Sequence, residues 1–250
     1  MTETMFESLR GKIALVTGAS SGIGAALALR LGQLGCRVIC SARGRHDLDA
    51  VVERITGAGG SALSVPADGT DADQMAALGR VVDREFGGLD LAFLNAGGNV
   101  QQASLVDSDV GDWRAALDLN VLPVFLGIQT VVPLMRKRGG GRIIYTGSAM
   151  AHYPSRNNAS YCAGKAAARI VAKTAALELV DDNITVNEFI PGPVRTRQTQ
   201  ANYDPADPNS PFNNPAEWVK DPEDVTEMLV FLAAYPGKGP NSQVYSLARR

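Results

Sequence analysis

The chain is short of the features that mark disulfide scaffolds, membrane proteins and nucleic-acid binders. It holds three cysteines, Cys36, Cys40 and Cys162, an odd number with no Cys-x-x-Cys pair. That argues against a disulfide framework and for buried thiols in a reducing compartment. No stretch reaches about 18 consecutive apolar residues, so no membrane-spanning helix is expected. Residues Met1 to Arg10 carry acids and no apolar segment, which is not the pattern of a secretory signal. A net charge of −2 gives no footprint for nucleic acid or an anionic membrane. Tandem repeats and low-complexity tracts are missing, and no metal centre is expected. A cytoplasmic enzyme is the reading these absences leave.

What is present is a large apolar fraction, 45% of 250 residues, enough for one sizeable core within the single-domain range. Strand-like and helix-like blocks alternate, the pattern of a parallel sheet wrapped by helices. The strands are expected at Ile13–Thr17, Arg37–Ser41, Ala62–Pro66, Leu89–Asn95, Gly141–Gly147, Thr185–Ile190 and Gln243–Leu247. Helices are expected at Ile23–Leu34, His46–Thr56, Asp71–Phe86, Asp112–Lys137, Asn157–Leu179 and Pro222–Ala234, with a kink at Pro123. The fold class is α/β, a single Rossmann-type doubly wound parallel sheet with helices on both faces.

Two local patterns carry chemistry. The apolar run Lys12 to Thr17 passes directly into Gly18-Ala19-Ser20-Ser21-Gly22-Ile23-Gly24 and then a helix-period stretch. A strand, a glycine-rich turn and a helix N-terminus make a phosphate cradle. Gly18 takes the tight turn, Gly22 admits backbone close to a pyrophosphate, and Gly24 lets the helix pack on the strand. The second pattern is Tyr161 and Lys165, four residues apart in an Ala-rich stretch. On a helix they share a face. An ammonium beside a phenol is expected to pull its pKa down from about 10, so that it can exchange a proton with a carbonyl or alcohol oxygen. Cys162 points about 100° away from Tyr161 on such a helix and reads as filler of a core or interface.

Thr17 to Gly24, Asn95-Ala96-Gly97, Asn120, Ser148, Tyr161, Lys165 and Pro191-Gly192 stand in the order seen in short-chain dehydrogenases/reductases. The intervals Asn120 to Ser148 and Ser148 to Tyr161 are also similar to that family's. The resemblance covers about Gly11 to Leu247. It implies a hydride-transferring oxidoreductase that interconverts a ketone or aldehyde and an alcohol. Tyr161 would be the proton donor and acceptor, with Lys165 tuning it and holding the nicotinamide ribose hydroxyls. Ser148 would donate to the substrate oxygen, and Asn120 would bind a water linking Lys165 to solvent. The turn Gly18, Ser20, Ser21, Gly22, Ile23 and Gly24 would hold the cofactor phosphates. Asp68 would meet the adenine amino group, and Asn95, Ala96 and Gly97 would line the cofactor channel. Asn187, Pro191, Gly192 and Thr196 would face the nicotinamide amide. Leu94 departs from the family pattern, where a second asparagine is frequent. Ala248-Arg249-Arg250 departs too, in place of a glycine-containing tail. Asp90, Glu178, Asp181 and Asp182 read as solvated charges.

The second strand ends Ser41-Ala42-Arg43-Gly44-Arg45, with Ala42 where members using NAD tend to carry an aspartate. Arg43 can grip a 2′-phosphate, so NADP(H) is the expected cofactor. NAD(H) stays possible because Ser21 stands where NADP users often have a basic residue. The alternatives are an NAD-dependent alcohol dehydrogenase and a non-catalytic dinucleotide-binding scaffold. The Pro-, Asn- and Asp-rich stretch from about 192 to 222 reads as a substrate lid carrying Tyr203, Phe212 and Trp218. A homotetramer or homodimer is expected from apolar residues on the two long helices, Val121, Phe125 and Ile128 on one and Ile170, Ala175 and Leu177 on the other. The other partner is a small carbonyl or alcohol substrate.

Overall fold

The computed structural model describes residues 6–100, 102–201, 206, 210, 212–213 and 218–248. Seven strands form one parallel sheet: β1 Ile13–Thr17, β2 Arg37–Ser41, β3 Ser61–Ser64, β4 Leu91–Leu94, β5 Gly141–Thr146, β6 Ile184–Ile190 and β7 Val244–Ser246. Their order is β3-β2-β1-β4-β5-β6-β7, so the chain reverses direction across the sheet between β1 and β4. Ligands of open α/β sheets bind at that switch point, outside the carboxyl ends of the strands. The helices are α1 Gly22–Gln33, α2 Arg45–Gly57, α3 Ala72–Phe86, α4 Val110–Arg136, α5 Ala159–Glu178, α6 Arg197–Ala201 and α7 Thr226–Ala234.

β1 shows why the sheet is buried on both faces. All five of its residues are buried, and they divide by alternation. Ala14 and Val16 pack with Leu27, Leu31 and Val230 of α1 and α7. Ile13 and Leu15 pack with Leu78, Val131 and Ala172 of α3, α4 and α5. A period of two with apolar residues on both sides is what a central parallel strand requires.

Several boundaries differ from expectation, for local reasons. α4 starts at Val110 because the Asp109 carboxylate accepts from Gly111 N and Asp112 N. β4 stops at Leu94 because the next two N–H groups, of Asn95 and Ala96, turn to the Thr17 hydroxyl at 3.0 and 3.2 Å. The expected single helix from Pro222 is a 3₁₀ turn, Pro222–Val225, followed by α7. α4 runs through Pro123 as one helix. By length and composition alone, Val110–Arg136 is long and apolar enough to cross a membrane, although polar residues such as Asp118, Asn120 and Gln129 interrupt it. Its buried residues, among them Val124, Val131 and Met135, belong to the core between sheet and helices.

Asp90 departs from expectation too. It is buried rather than solvated, accepting from Ile13 N at 2.9 Å and pairing with Lys12 and Arg138 at 3.4 Å each. Cys36 and Cys40 are buried as expected, and burial pushes both thiols up to about 12. Ala175 also faces the core, so it leaves the proposed subunit surface, whereas Ile170 and Leu177 are 57% and 74% exposed.

Candidate active site

The site is assembled at the carboxyl ends of β1, β4, β5 and β6. After β1, Gly18 and Gly22 adopt φ of 65° and 54°, a region that glycine enters freely. A β-carbon on Gly24 would overlap the Gly18 carbonyl oxygen and lie 2.8 Å from its carbon. The turn is therefore closed onto α1 to a degree that only glycine allows. No side chain caps α1, and its first backbone bond is Ala25 N–H to Ser21 O. That leaves the N–H groups of Gly22, Ile23 and Gly24 without an intrahelical acceptor, an opening with donors and the positive end of the helix dipole. Those features fit a pyrophosphate.

Asn95 supports this turn from below. Its Oδ1 accepts from the Thr146 hydroxyl at 2.9 Å. Its amide nitrogen lies against Gly18 and Gly24, close enough that a β-carbon on either would fall 3.1 and 3.0 Å away. The residue thus ties β4, β5 and the glycine-rich turn together. Asp68, past β3, accepts from the N–H and hydroxyl of Thr70 through Oδ1, at 2.9 and 2.8 Å. Arg43 follows β2 with an exposed side chain and, among the described residues, no carboxylate partner, while Asp47 in α2 pairs with Arg197 at 3.0 Å.

The proposed proton-transfer group comes from three elements. Tyr161 and Lys165 lie one turn apart on α5, with the ammonium 5.9 Å from the ring centroid. Lys165 is buried, and its Nζ donates to Thr146 O at 3.0 Å. Ser148, just past β5, opens a 3₁₀ turn, Ala149–Ala151, and its Oγ accepts from Met150 N. The same hydroxyl lies near enough to the Tyr161 phenol to act on its proton affinity. Asn120 arrives from α4, which crosses α5 closely at Gly164, where a β-carbon would stand 3.1 Å from Ala116 O and Asn120 Cβ. Its Oδ1 accepts from Gly98 N at 3.2 Å, and its Nδ2 donates to Gly98 O and Ala116 O at 2.8 Å each. Asn120 Oδ1 and Lys165 Nζ each lie 3.1 Å from where a Gly97 β-carbon would be, so both face that gap.

Electrostatics depart from the simple expectation. Burial pushes the Tyr161 phenol up, and the nearby Ser148 hydroxyl acts the other way. Burial brings Lys165 down to about 8, with the Glu188 carboxylate acting the other way. Spacing predicted that the ammonium would lower the phenol, but Lys165 is buried, Tyr161 is partly buried, and the ammonium is turned to the Thr146 carbonyl. Desolvation then outweighs their attraction.

Past β6, Gly192 has φ of 70°, and Thr196 sits against the glycine-rich turn, its Cγ2 3.0 Å from a β-carbon on Gly22. Gln198 of α6 packs on Gly98. The long insert is closed at its base by a bridge between Val194 and Lys220. Lys220 is buried, donating to Trp218 O and Leu247 O. Trp218 is 42% exposed and Phe212 half-buried, while Tyr203 lies outside the described residues. Asn187 is directed away from the cleft, bonding Pro240 O and Gln243 N beside β7. Sequence reasoning overlooked Glu188 on β6 and His152 after Ser148, which meet at 3.2 Å. A charged acid in the middle of a strand otherwise free of charge was the available signal.

A family model described as short chain dehydrogenase matches residues 12–207. This chain belongs to the short-chain dehydrogenase/reductase family. It is 36% identical over 235 residues to a 2,5-dichloro-2,5-cyclohexadiene-1,4-diol dehydrogenase, LinX, of Sphingobium indicum, covering 94% of this chain and 93% of that one. A 3-oxoacyl-[acyl-carrier-protein] reductase, FabG, of Thermotoga maritima is 33% identical over 239 residues, 96% of this chain and 97% of its own. A 7α-hydroxysteroid dehydrogenase solved with NADH and 7-oxo glycochenodeoxycholic acid superposes with a TM-score of 0.91 at 29% identity, over 99% of this chain and 97% of that chain. The short-chain dehydrogenase/reductase described here is thus an oxidoreductase acting on alcohol or ketone substrates at a CH–OH centre, with a nicotinamide dinucleotide as cofactor.

Proposed function

We propose that the enzyme is an NADP(H)-dependent carbonyl reductase and secondary-alcohol dehydrogenase in which Tyr161 is the general acid and base. The observation that carries this reading is the convergence of Tyr161 and Ser148 with Lys165 one helical turn from the phenol. The bound nicotinamide would supply or accept the hydride. The side chains handle the oxygen. Ser148 donates to it as negative charge develops, and Tyr161 gives it a proton, or removes one in the oxidative direction. Burial keeps the phenol protonated, the form a reduction needs. Asn120 fixes the Gly98 backbone and so keeps the gap beside Lys165 open.

The cofactor would lie across the switch point, its pyrophosphate on the N–H groups of Gly22, Ile23 and Gly24. Its adenosine end would lie toward Arg43. An exposed arginine after β2 with no carboxylate partner among the described residues, and no acid at the strand end, favours a 2′-phosphate. A second reading, NAD dependence, draws on Ser21 and on the steroid dehydrogenase solved with NADH. The segment from 192 to 222 is read as the substrate lid, with Thr196 and Gln198 already against the cleft.

The test is turnover of a ketone panel with NADPH or NADH, followed by Tyr161→Phe. The variant keeps the ring and removes the proton, so kcat should fall by ~10²–10⁴ while the fold and cofactor affinity persist. Full activity in Tyr161→Phe would remove the residue from the mechanism.

A further inference from the structure

Glu188 stands in the interior of β6 with its side chain 3% exposed, and the proton-transfer scheme makes no use of it. A carboxylate so placed is costly unless it is paired. Two groups pair with it. His152 Nε2 is 3.2 Å from each carboxylate oxygen, and Arg169 Nε is 3.6 Å from Oε2. His152 ends the turn that Ser148 begins, and Arg169 lies one turn of α5 beyond Lys165. The Tyr145 hydroxyl of β5 faces the same group, pushed up by burial and by the charge of Glu188. A cavity of about 10 Å³, lined in part by Tyr145, Lys173, Glu188 and Ser242, adjoins it. On the other side the carboxylate side chain presses on Gly147, where a β-carbon would lie 2.6 Å from Glu188 Cγ. Gly147 immediately precedes Ser148. Glu188 therefore contacts the turn at both ends, by packing at Gly147 and by hydrogen bonding at His152.

We propose that Glu188 is a positioning residue for the reaction, a buried carboxylate that clamps the Gly147–His152 turn and so sets Ser148 against Tyr161. The inference rests on the role given above to Ser148 and Tyr161 and adds the group that holds them in register. The clamp also acts on Lys165, whose charge Glu188 supports against burial. The titratable and charged groups at this centre are Tyr161, Cys162, Lys165, Arg169 and Lys173 on α5, Tyr145 on β5, His152 on the turn and Glu188 on β6. From α4 comes Asn120, which is neutral.

Glu188→Gln keeps the shape and removes the charge. In the folded variant kcat should fall by about 10- to 100-fold, the cost of a misplaced reacting group. The alkaline limb of kcat/KM should move to lower pH, because Lys165 loses the anion that raises it. Hydrogen exchange across residues 147–153 should quicken. A folded Glu188→Gln protein with wild-type kcat, alkaline limb and exchange overturns the proposal. If that variant does not fold, His152→Leu decides: it should lose turn protection and kcat, and His152→Gln, which retains a donor, should restore most of both. Wild-type behaviour of His152→Leu overturns the clamp. Should the wild-type enzyme reduce no carbonyl with either cofactor, the functional reading fails by itself, and exchange across 147–153 still judges the clamp, which unchanged protection in the variants would refute.

Discussion

Gly24→Ala adds one methyl group at the tightest point of the phosphate cradle, and its cost can be worked from the geometry. The new carbon would overlap the Gly18 carbonyl oxygen, stand 2.8 Å from the Gly18 carbonyl carbon and 3.0 Å from Asn95 Nδ2. Ordinary carbon contacts lie near 3.5–4.0 Å. Neither neighbour can yield easily, since Gly18 is held by its turn and Asn95 by Thr146. The N-terminus of α1 must back away from β1, drawing the N–H groups of Gly22, Ile23 and Gly24 out of position. Overpacking of this kind costs about 1–3 kcal/mol. Where the strain falls on the cradle, cofactor Kd should rise roughly 5- to 150-fold, at 1.4 kcal/mol for each tenfold step. Where it falls on the free protein, Tm should drop by about 2–4 °C per kcal/mol for a chain of this size.

The assay is a fluorescence titration of reduced cofactor at fixed salt, run beside a thermal melt. Gly57→Ala is the control. It closes α2 with nothing within 4 Å of the added carbon. Alanine there should be neutral or stabilise by about 0.5–1 kcal/mol. A Gly24→Ala protein that binds cofactor and melts like the wild type would refute the reasoning, because the turn would then have room that the geometry denies it.

Arg43→Asp replaces the guanidinium read as the 2′-phosphate partner, so NADPH should weaken at least roughly tenfold, given about 1.5–3 kcal/mol for a charge-assisted bond, while NADH weakens little or improves. An unchanged NADPH/NADH ratio in titrations at moderate salt would count against NADP. In the reductive direction, kcat/KM should decline as pH rises through about 8, where buried Lys165 loses its proton; a flat profile from pH 6 to 10 would contradict a need for the ammonium. Asp90→Ala strands Ile13 N–H beneath the sheet and removes the partner of Lys12 and Arg138. It should cost about 1–3 kcal/mol in denaturant unfolding without changing kcat. A homo-oligomer is expected through exposed Phe125, Ile170 and Leu177 of α4 and α5, and a monomer by light scattering at micromolar concentration would weigh against it.

How legible these features were in the sequence depended on how local their causes are. β1, β2 and the glycine-rich turn were readable because apolar alternation and glycine act within a few residues. The Tyr161–Lys165 adjacency followed from helical spacing alone. What that spacing could not convey was the dielectric around the pair. Whether an ammonium lowers a phenol depends on where the ammonium points, and here it points to Thr146 O. Asp90 looked solvated because its partners Ile13, Lys12 and Arg138 lie far away in sequence. Asn187 was placed by motif in the cofactor cleft, but its side chain was claimed by the backbone leading into β7.

Glu188 shows where such reading could have gone further. A charged acid between Asn187 and Phe189 in a fully buried strand is an inconsistency between residue and location, and such conflicts concentrate at functional or strained sites. The strand cannot discard it cheaply, because His152 and Arg169 are both turned toward it. Neither neighbour is close in sequence, so only the fold brings them together. The small residue facing it, Gly147, repeats the logic of Gly164 at the α4–α5 crossing and Gly97 between Asn120 and Lys165. At each of these three places a missing β-carbon lets a polar side chain or a second helix approach the backbone that carries the site. The positions of Ser148, Lys165 and Asn120 are thus set as much by glycines that touch no substrate as by the reactive residues themselves.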